Sequence, residues 1–271
     1  MTDLVRTNKT VITILQDLIK GKISIDKAEN LLNQNQILHL KDIAKIDIGR
    51  DIRKGIPEVV LGEGKEESDL IAIIEKTLKR QGRVIVSRIN PLKLAKIKKM
   101  LDPKKIIIKS KKTVAVFREK RYRINITGAK IGVLTAGTSD ISIAEEAQII
   151  AEEMGCKVFL EVDVGVAGIH RLIPALKKMV ESKVEAIVVV AGMEGALPSV
   201  VTGVVSVPVI GVPASSGYGF GKEGLAALMA MLQSCTLGLS VVNIDNGIAG
   251  GSFAALIANN LHRKTETKKN R

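Results

Sequence analysis

The stretch GLAALMAMLQSCTLGLSVVNIDNGIAGG, residues 224–251, decides how the chain is read. An apolar helical run to Ser234 leads to a thiol at a turn, Cys235, with Thr236 and Gly238 behind it. A buried strand is expected at Gly238–Ile244, followed by a glycine-rich loop carrying Asn243, Asp245 and Asn246. A strand that is apolar throughout belongs in a parallel sheet covered on both faces. Four such units precede it, with strands expected at Lys130–Leu134, Lys157–Val164, Ala186–Val190 and Val207–Val212. Helices fill the gaps at Ile141–Met154, Leu172–Glu181, a short run after Leu197, and Gly224–Ser234. This alternation gives βαβ crossovers and an α/β, doubly wound parallel sheet. Ligands bind such a sheet at the carboxyl ends of its strands.

The five loops at those ends read TAGTSDIS (135–142), DVGVAGIHRLIP (163–174), AGMEGALPS (191–199), GVPASSGYGFGKEG (211–224) and NIDNGIAGG (243–251). Glycine permits the close backbone approach that a phosphate or planar ring requires, so the loops are expected to build a nucleotide site. Thr138, Ser139, Asp140, Gly168, Arg171, Gly192, Ser215, Gly217, Asn243 and Asp245 are its candidate substrate-binding positions. Ser139 and Asp140 stand where a helix begins, a capping position that also suits a phosphate or a ribose hydroxyl. His170 and Arg171 are adjacent, one able to move protons and the other to grip an anion. Glu194 is the single acid in the apolar run 186–219, where a carboxylate is costly unless paired or working, which makes it a candidate general base. No loop carries GxGxxG in the position a dinucleotide fingerprint needs.

Of the two cysteines, Cys156 opens a strand and reads as a small buried hydrophobe. Cys235 is the candidate nucleophile. It follows a helix C-terminus, where the dipole opposes a thiolate, and a free thiol titrates near about 8.5, so a nearby cation or base is needed. It also precedes the fifth strand and therefore lies at the opposite edge of its own sheet from the loops. A symmetric oligomer brings the turn of one copy to the loops of another.

The N-terminal half reads differently. Helices are expected at Lys9–Lys20 and Asp26–Asn33, and Leu4, Val11, Ile14, Leu15 and Leu18 fall at helical spacing as an apolar face. A small α/β unit follows, with strands at Ala44–Ile48, Glu58–Leu61, Arg83–Ile89, Lys105–Ile108 and Thr113–Phe117, and helices at Glu66–Gln81 and Leu92–Leu101. Gly55, Gly62 and Gly64 beside basic residues fit either an anion site or ordinary turns. Lys93, Lys96, Lys98 and Lys99 share one helix and could touch phosphates, although a solvated face is the plainer reading. The charged connection 118–130 suggests domains at 1–125 and 126–262, with a basic tail at 263–271.

Composition sets the limits. Apolar residues make up 46% of 271, enough for a sizeable core, while aromatics at 2% argue against base stacking as a binding device. Two cysteines without a CxxC exclude a disulfide framework or a thiolate zinc site. Pro198, Pro208, Pro213 and Glu194 break the run 186–219 into short strands unlike a membrane span, and MTDLVRTNKT lacks a basic region followed by an apolar run, so no secretory signal is expected. A cytoplasmic protein is expected. Residues 1–130 hold 30 Lys/Arg against 15 Asp/Glu, whereas 131–271 hold 11 against 13. Such a basic half attracts nucleic acid or anionic metabolites, or is simply a solvated face.

Taken together, GVLTAGTSD (132–140), EVDVGVAGIHR (161–171), VVVAGMEGALPSVV (188–201), PVIGVPASSGYG (208–219) and LMAMLQSC (228–235) with GLSVVNIDNG (238–247) resemble the LarB family. That family acts in nickel-pincer-nucleotide cofactor synthesis and lactate racemase maturation. AKIDIGRDIRKGIPEVVLGEGK (44–65) is similar to its N-terminal domain. Residues 130–260 also resemble, more distantly, aminoimidazole ribonucleotide carboxylase (PurE), an octameric flavodoxin-like enzyme. Cys235 stands where PurE has a Met-Pro turn, and Met193-Glu194 interrupt a loop of small residues, which favours LarB.

The resemblance implies a pyridinium-3,5-biscarboxylic acid mononucleotide synthase, a carboxylase/hydrolase acting on nicotinic acid adenine dinucleotide (NaAD) with CO2 or bicarbonate as co-substrate. Cys235 would add to the ring, Glu194 would take the proton, Ser139 and Asp140 would hold ribose and phosphate, and His170 and Arg171 would border the CO2 pocket. It further implies a homo-oligomer with shared sites, an octamer by analogy, with no covalently bound cofactor. Mg2+ on the pyrophosphate is plausible, although no acidic cluster announces a metal site. A purine carboxylase using His170 without a covalent step, and a nucleotide- or nucleic-acid-binding protein without turnover, are the alternatives. Neither a membrane nor a nucleic-acid partner is expected.

Overall fold

The computed structural model describes residues 11–34, 37–40 and 43–269. Helices α1 (Val11–Ile19) and α2 (Ile25–Gln34) open it as a pair. Ser24 Oγ accepts the Lys27 amide at 3.2 Å to cap α2, and Ile14 is buried while Leu15 is exposed. Leu4 lies outside the described residues. Strands β1 (Ile37–Leu40) and β2 (Ala44–Asp47) form an antiparallel ribbon, of which sequence reading finds only the second strand.

The unit that follows contains helix α3 (Arg50–Lys54), strand β3 (Val59–Leu61), helix α4 (Glu67–Gln81), strand β4 (Arg83–Ser87), helix α5 (Pro91–Met100), and strands β5 (Ile106–Ser110) and β6 (Ala115–Glu119). Its four-stranded sheet has the order β3-β4-β6-β5. The apolar stripe of α4, Leu70, Ile73, Ile74 and Leu78, packs with Val84, Val86, Ala115 and Phe117 on one face of that sheet. Asn90 caps α5 by accepting the Leu92 amide at 2.8 Å, with Pro91 in the first turn, where its missing N–H costs nothing.

The parallel sheet comprises β7 (Lys130–Thr135), β8 (Lys157–Glu161), β9 (Ala186–Ala191), β10 (Val209–Pro213) and β11 (Leu239–Val241), in the order β11-β10-β9-β7-β8. That is the flavodoxin-like order, and its direction of winding reverses between β7 and β9. Every residue of β9 and β10 is buried, whereas the edge strands β8 and β11 are only partly covered. Helices α7 (Ile169–Glu181), α8 (Leu197–Thr202) and α9 (Leu225–Leu232) cover one face through Leu172, Met179, Leu197, Val201, Ala227 and Met231.

Helices α6 (Ile141–Glu153) and α10 (Gly247–Lys269) cover the other face. Their far side is not solvent. Ile85, Val114 and Val116, from the free face of the four-stranded sheet, join the same buried cluster as Ala147, Ile150 and Ala258. Two sheets therefore share one helix layer, and α6 is buried nearly all round, as its Ala-rich, weakly amphipathic sequence requires.

Sequence reading misses α10. The segment 247–251, read as a loop, is the first turn of this helix, with Asn246 Oδ1 accepting the Ala249 amide at 2.9 Å. Its glycines serve packing rather than a ligand. A Cβ on Gly247 would overlap the Ile143 carbonyl oxygen, and one on Gly251 would overlap that of Ala147. The helix also continues through the stretch expected as a tail, to Lys269. Among the described residues no helix is long and apolar enough to cross a membrane.

Gly251→Ala is therefore expected to destabilise the protein by roughly 2–3 kcal/mol, because backbone cannot yield as a side chain does. Gly203→Ala is the control. Gly203 has a helical backbone and its Cβ would meet nothing closer than 3.5 Å, so its melting temperature should be unchanged or slightly raised. Thermal melts of the two variants check the contrast.

Candidate active site

The carboxyl-edge loops interlock. Asp140, only 2% exposed, takes the Gly137 amide on Oδ2 at 2.9 Å and the Ser216 hydroxyl on Oδ1 at 2.5 Å, which joins the loop after β7 to the loop after β10. Ser139 Oγ stands 3.4 Å from the same carboxylate. Both carboxylate oxygens of Asp140 are thus engaged within the loops, while Thr138 and Ser139 beside it are exposed. A Cβ on Gly192 would lie 2.8 Å from Ser216 Oγ, and one on Gly217 would lie 2.9 Å from the Met193 amide nitrogen. Asp245 Oδ1 accepts the Ser215 amide at 2.8 Å, and Asn243 turns its side-chain oxygen back on the Ile244 amide at 2.9 Å. Asp245 and Met193 both adopt left-handed backbone, at φ 55° and 49°. Strain of this kind gathers at functional loops.

The N-terminal sheet closes over this edge. A cleft of about 600 Å3 has Ser139, Ser142, Ser215, Ser216 and Asp245 on one wall. Gly62, Gly64, Arg88 and Lys93 form the other, and Glu146 of α6 joins them. Sequence reading places Gly62, Gly64 and Lys93 in a separate unit and leaves out Arg88 and Glu146. Of the other expected anion positions, Gly55 is the left-handed cap of α3, donating to the Asp51 carbonyl at 2.9 Å. Lys96 pairs with Glu67 at 2.8 Å, and Lys98 donates to Ser110 Oγ at 2.9 Å. Glu146 is 4% exposed and accepts Thr113 Oγ1 at 3.0 Å. Burial pushes its carboxyl above the ordinary range, against the Thr113 hydroxyl and the Arg88 backbone N–H, which favour the charged form. A buried, perturbed acid in a cleft is a mark of a working site.

His170 and Arg171 stand exposed on the first turn of α7, after Gly168, whose added Cβ would collide with the Arg171 guanidinium at 2.7 Å. Arg171 pairs with Asp163 of the same loop. Glu194 is at the carboxyl end of β9 but exposed, so the burial that motivates a general base there is absent in a single chain. Cys156 is buried, with Asn259 Oδ1 at 3.5 Å from its sulfur, and burial pushes its thiol up to about 12. Cys235 is exposed. It lies in the turn before β11, at the amino edge of the sheet, opposite the loops. Ser234 Oγ bonds Ser199 Oγ at 2.8 Å and Thr236 Oγ1 at 2.7 Å, which pins this turn to α8 and leaves the thiol in solvent. Among the described residues no three His, Cys, Asp or Glu side chains converge as a metal cage would need.

A thiol reagent should modify one cysteine per chain in the native protein and two after unfolding, with Cys235→Ser abolishing the native reaction; mass analysis checks this. Glu146 offers a pH readout. Because its folded carboxyl titrates higher than the unfolded one, its protonated form favours folding at acid pH, and that contribution is lost as pH rises through the folded value. Glu146→Gln should therefore raise the melting temperature at pH 7, and the gain should shrink towards zero below about pH 4, under the unfolded value. Thermal melts across pH 4–8 test the sign.

Comparison with known proteins agrees with this geometry. Residues 130–270 match the AIR carboxylase family model, and residues 38–116 match the LarB/PurE-like N-terminal domain model. An uncharacterized protein of Methanocaldococcus jannaschii is 44% identical over 256 residues, covering 92% of this chain and 98% of that protein. An N5-carboxyaminoimidazole ribonucleotide mutase of the same organism is 33% identical over 129 residues, 47% of this chain and 75% of the mutase. The mutase of Thermotoga maritima is 26% identical over 132 residues, with 47% and 74% covered. The chain belongs to the LarB family, whose PurE-like sheet makes it an enzyme of the carboxylase/mutase kind.

Proposed function

We propose that the chain carboxylates the pyridinium ring of NaAD with CO2 and hydrolyses its phosphoanhydride, giving pyridinium-3,5-biscarboxylic acid mononucleotide and AMP. The observation that carries this reading is the solvent-reaching thiol of Cys235 on a carboxylase-type sheet whose other thiol is buried. A pyridinium is electrophilic at ring carbon 4. The Cys235 thiolate forms a C–S bond there, and the ring electrons move to make an enamine whose carbon 5 is nucleophilic. Carbon 5 bonds to the carbon of CO2, leaving an iminium. A base, assigned to Glu194, removes the carbon 5 proton; the nitrogen lone pair then expels the thiolate and restores aromaticity. Water cleaves the anhydride. The cationic ring offsets the unfavourable helix end beside the thiol. The donor set offers Mg2+ no preformed cage, and no step is routed through one.

Cys235 and the loops occupy opposite edges of one sheet, so the site needs the turn of a second copy. Exposed apolar side chains surround the thiol turn: Leu232 and Met229 on α9, and Leu237 at 95% exposure. Ile173 and Val180 of α7 are similarly bare. Apolar patches of this kind suit a homo-oligomer. His170 and Arg171, on the loop after β8, are assigned to the CO2 pocket and the substrate phosphate. Similarity to the mutases favours a second reading, a purine-ribonucleotide carboxylase or mutase without a covalent step.

One experiment separates the two. Incubation with NaAD and bicarbonate should yield AMP and the dicarboxylated mononucleotide by mass analysis, and Cys235→Ala should lower turnover by about 10³-fold or more, as loss of a nucleophile does. A purine enzyme would tolerate that change and ignore NaAD. Co-assembly of Cys235→Ala with Ser139→Ala chains should restore part of the activity only if two copies share each site.

A further inference from the structure

We propose that the N-terminal sheet supplies a second anion subsite: Arg88 and Lys93, across the cleft from Ser139, hold the distal phosphate of a pyrophosphate-bearing nucleotide. This rests on the nucleotide reading above and extends it to the substrate's far half. The reacting ring belongs to the carboxyl-edge loops and the borrowed thiol. The cleft continues from Ser139 and Ser215 beneath the N-terminal layer, giving room for a group beyond the first phosphate.

Arg88 is built for this position. It follows β4 directly in left-handed backbone, φ 48°, a conformation unfavourable for a long side chain and kept only where the surroundings enforce it. Two interactions do so. The next residue, Ile89, donates its amide to the Thr113 carbonyl at 2.8 Å, and the Arg88 N–H serves buried Glu146. The side chain is 43% exposed, and its guanidinium makes two long contacts, to Glu63 Oε2 at 3.3 Å and the Asp245 carbonyl at 3.4 Å. Five N–H donors in a planar fork leave capacity for a two-pronged phosphate contact. Lys93 Nζ rests on the Lys65 carbonyl oxygen at the same wall.

The acids of the cleft each have partners on the protein. Asp245 Oδ1 accepts the Ser215 amide at 2.8 Å, and Glu146 is buried and accepts Thr113 Oγ1 at 3.0 Å, so both carboxylates are turned to partners of their own. Glu63, its side chain 63% exposed, is the carboxylate an incoming phosphate would displace from Arg88. Both cations lie outside the stretch matched by the AIR carboxylase model, in the part matched by the LarB-type N-terminal domain. The subsite therefore belongs to what this chain adds to a carboxylase sheet.

Calorimetric titration of the full chain with ADP, and with adenosine as the uncharged control, tests it. Asn tolerates left-handed backbone, so Arg88→Asn removes the charge without new strain. It should weaken ADP roughly tenfold or more while leaving adenosine unchanged. Lys93→Ala should also weaken ADP, and Glu63→Gln should tighten it. The subsite is wrong if ADP binds wild type no better than adenosine, or if Arg88→Asn and Lys93→Ala both stay within about twofold of wild type. Should ADP behave as expected while NaAD is left unchanged, the subsite stands and the proposed reaction falls. Should NaAD be carboxylated with a KM unaffected by Arg88→Asn, the reaction stands and the subsite falls.

Discussion

The structure depends on one helix having two hydrophobic clients. Helix α6 packs against the parallel sheet on one side, while Ile85, Val114 and Val116 of the four-stranded sheet reach its cluster from the other. A helix in that position has no solvent face on which to keep charge. Its four acids, Glu145, Glu146, Glu152 and Glu153, recur at a spacing of seven and turn towards the basic sheet. Arg83, itself 7% exposed, spans Glu153 at 3.4 Å and Asp51 at 2.6 Å; Lys109 meets Glu152, Lys111 lies 3.4 Å from Glu145, and Thr113 holds Glu146. Removing one partner from the Arg83 cluster would strand a buried charge, so apolar contact and charge matching secure the same interface.

That interface gives part of the positive charge in the first half of the chain a structural use. Arg83, Lys109, Lys111 and Arg118 face the acids of α6. The seating of the basic sheet on α6 also brings the ends of β3 and β4 over the loops of the parallel sheet, because α6 begins at those loops. The cleft follows from the way the layers meet.

Local pattern and long-range contact divided what could be read. The five parallel strands and the helices α6 to α9 were legible because β-branched runs and glycine-bearing loops alternate at short range. Cys156 was read as buried and is buried. Helix α10 was hidden by its glycines: Gly247, Gly250 and Gly251 look like loop residues, yet they are small because another backbone or Val212 presses against them. Asp140 was legible as a special residue, but its use by Gly137 and Ser216 depends on a loop 76 residues away. Arg88 left no local trace. Glu146 belongs to the acid pairs of IAEEAQIIAEE, whose sevenfold spacing gains its meaning only from the basic sheet lying over α6.

The contact between α6 and α10 fixes the cleft in a further respect. Where carbonyl oxygens of one helix fill the space left by missing side chains on another, sliding by even a fraction of a turn meets hard repulsion. The layers on either side are thereby denied the shear by which many two-layer proteins open and shut. The rim of the chamber is tied down as well, since Gly62 donates to the Ser87 carbonyl at 2.8 Å and Ile89, 1% exposed, donates to that of Thr113 at 2.8 Å. Frame and rim are stiff together, so a ligand meets a chamber already shaped.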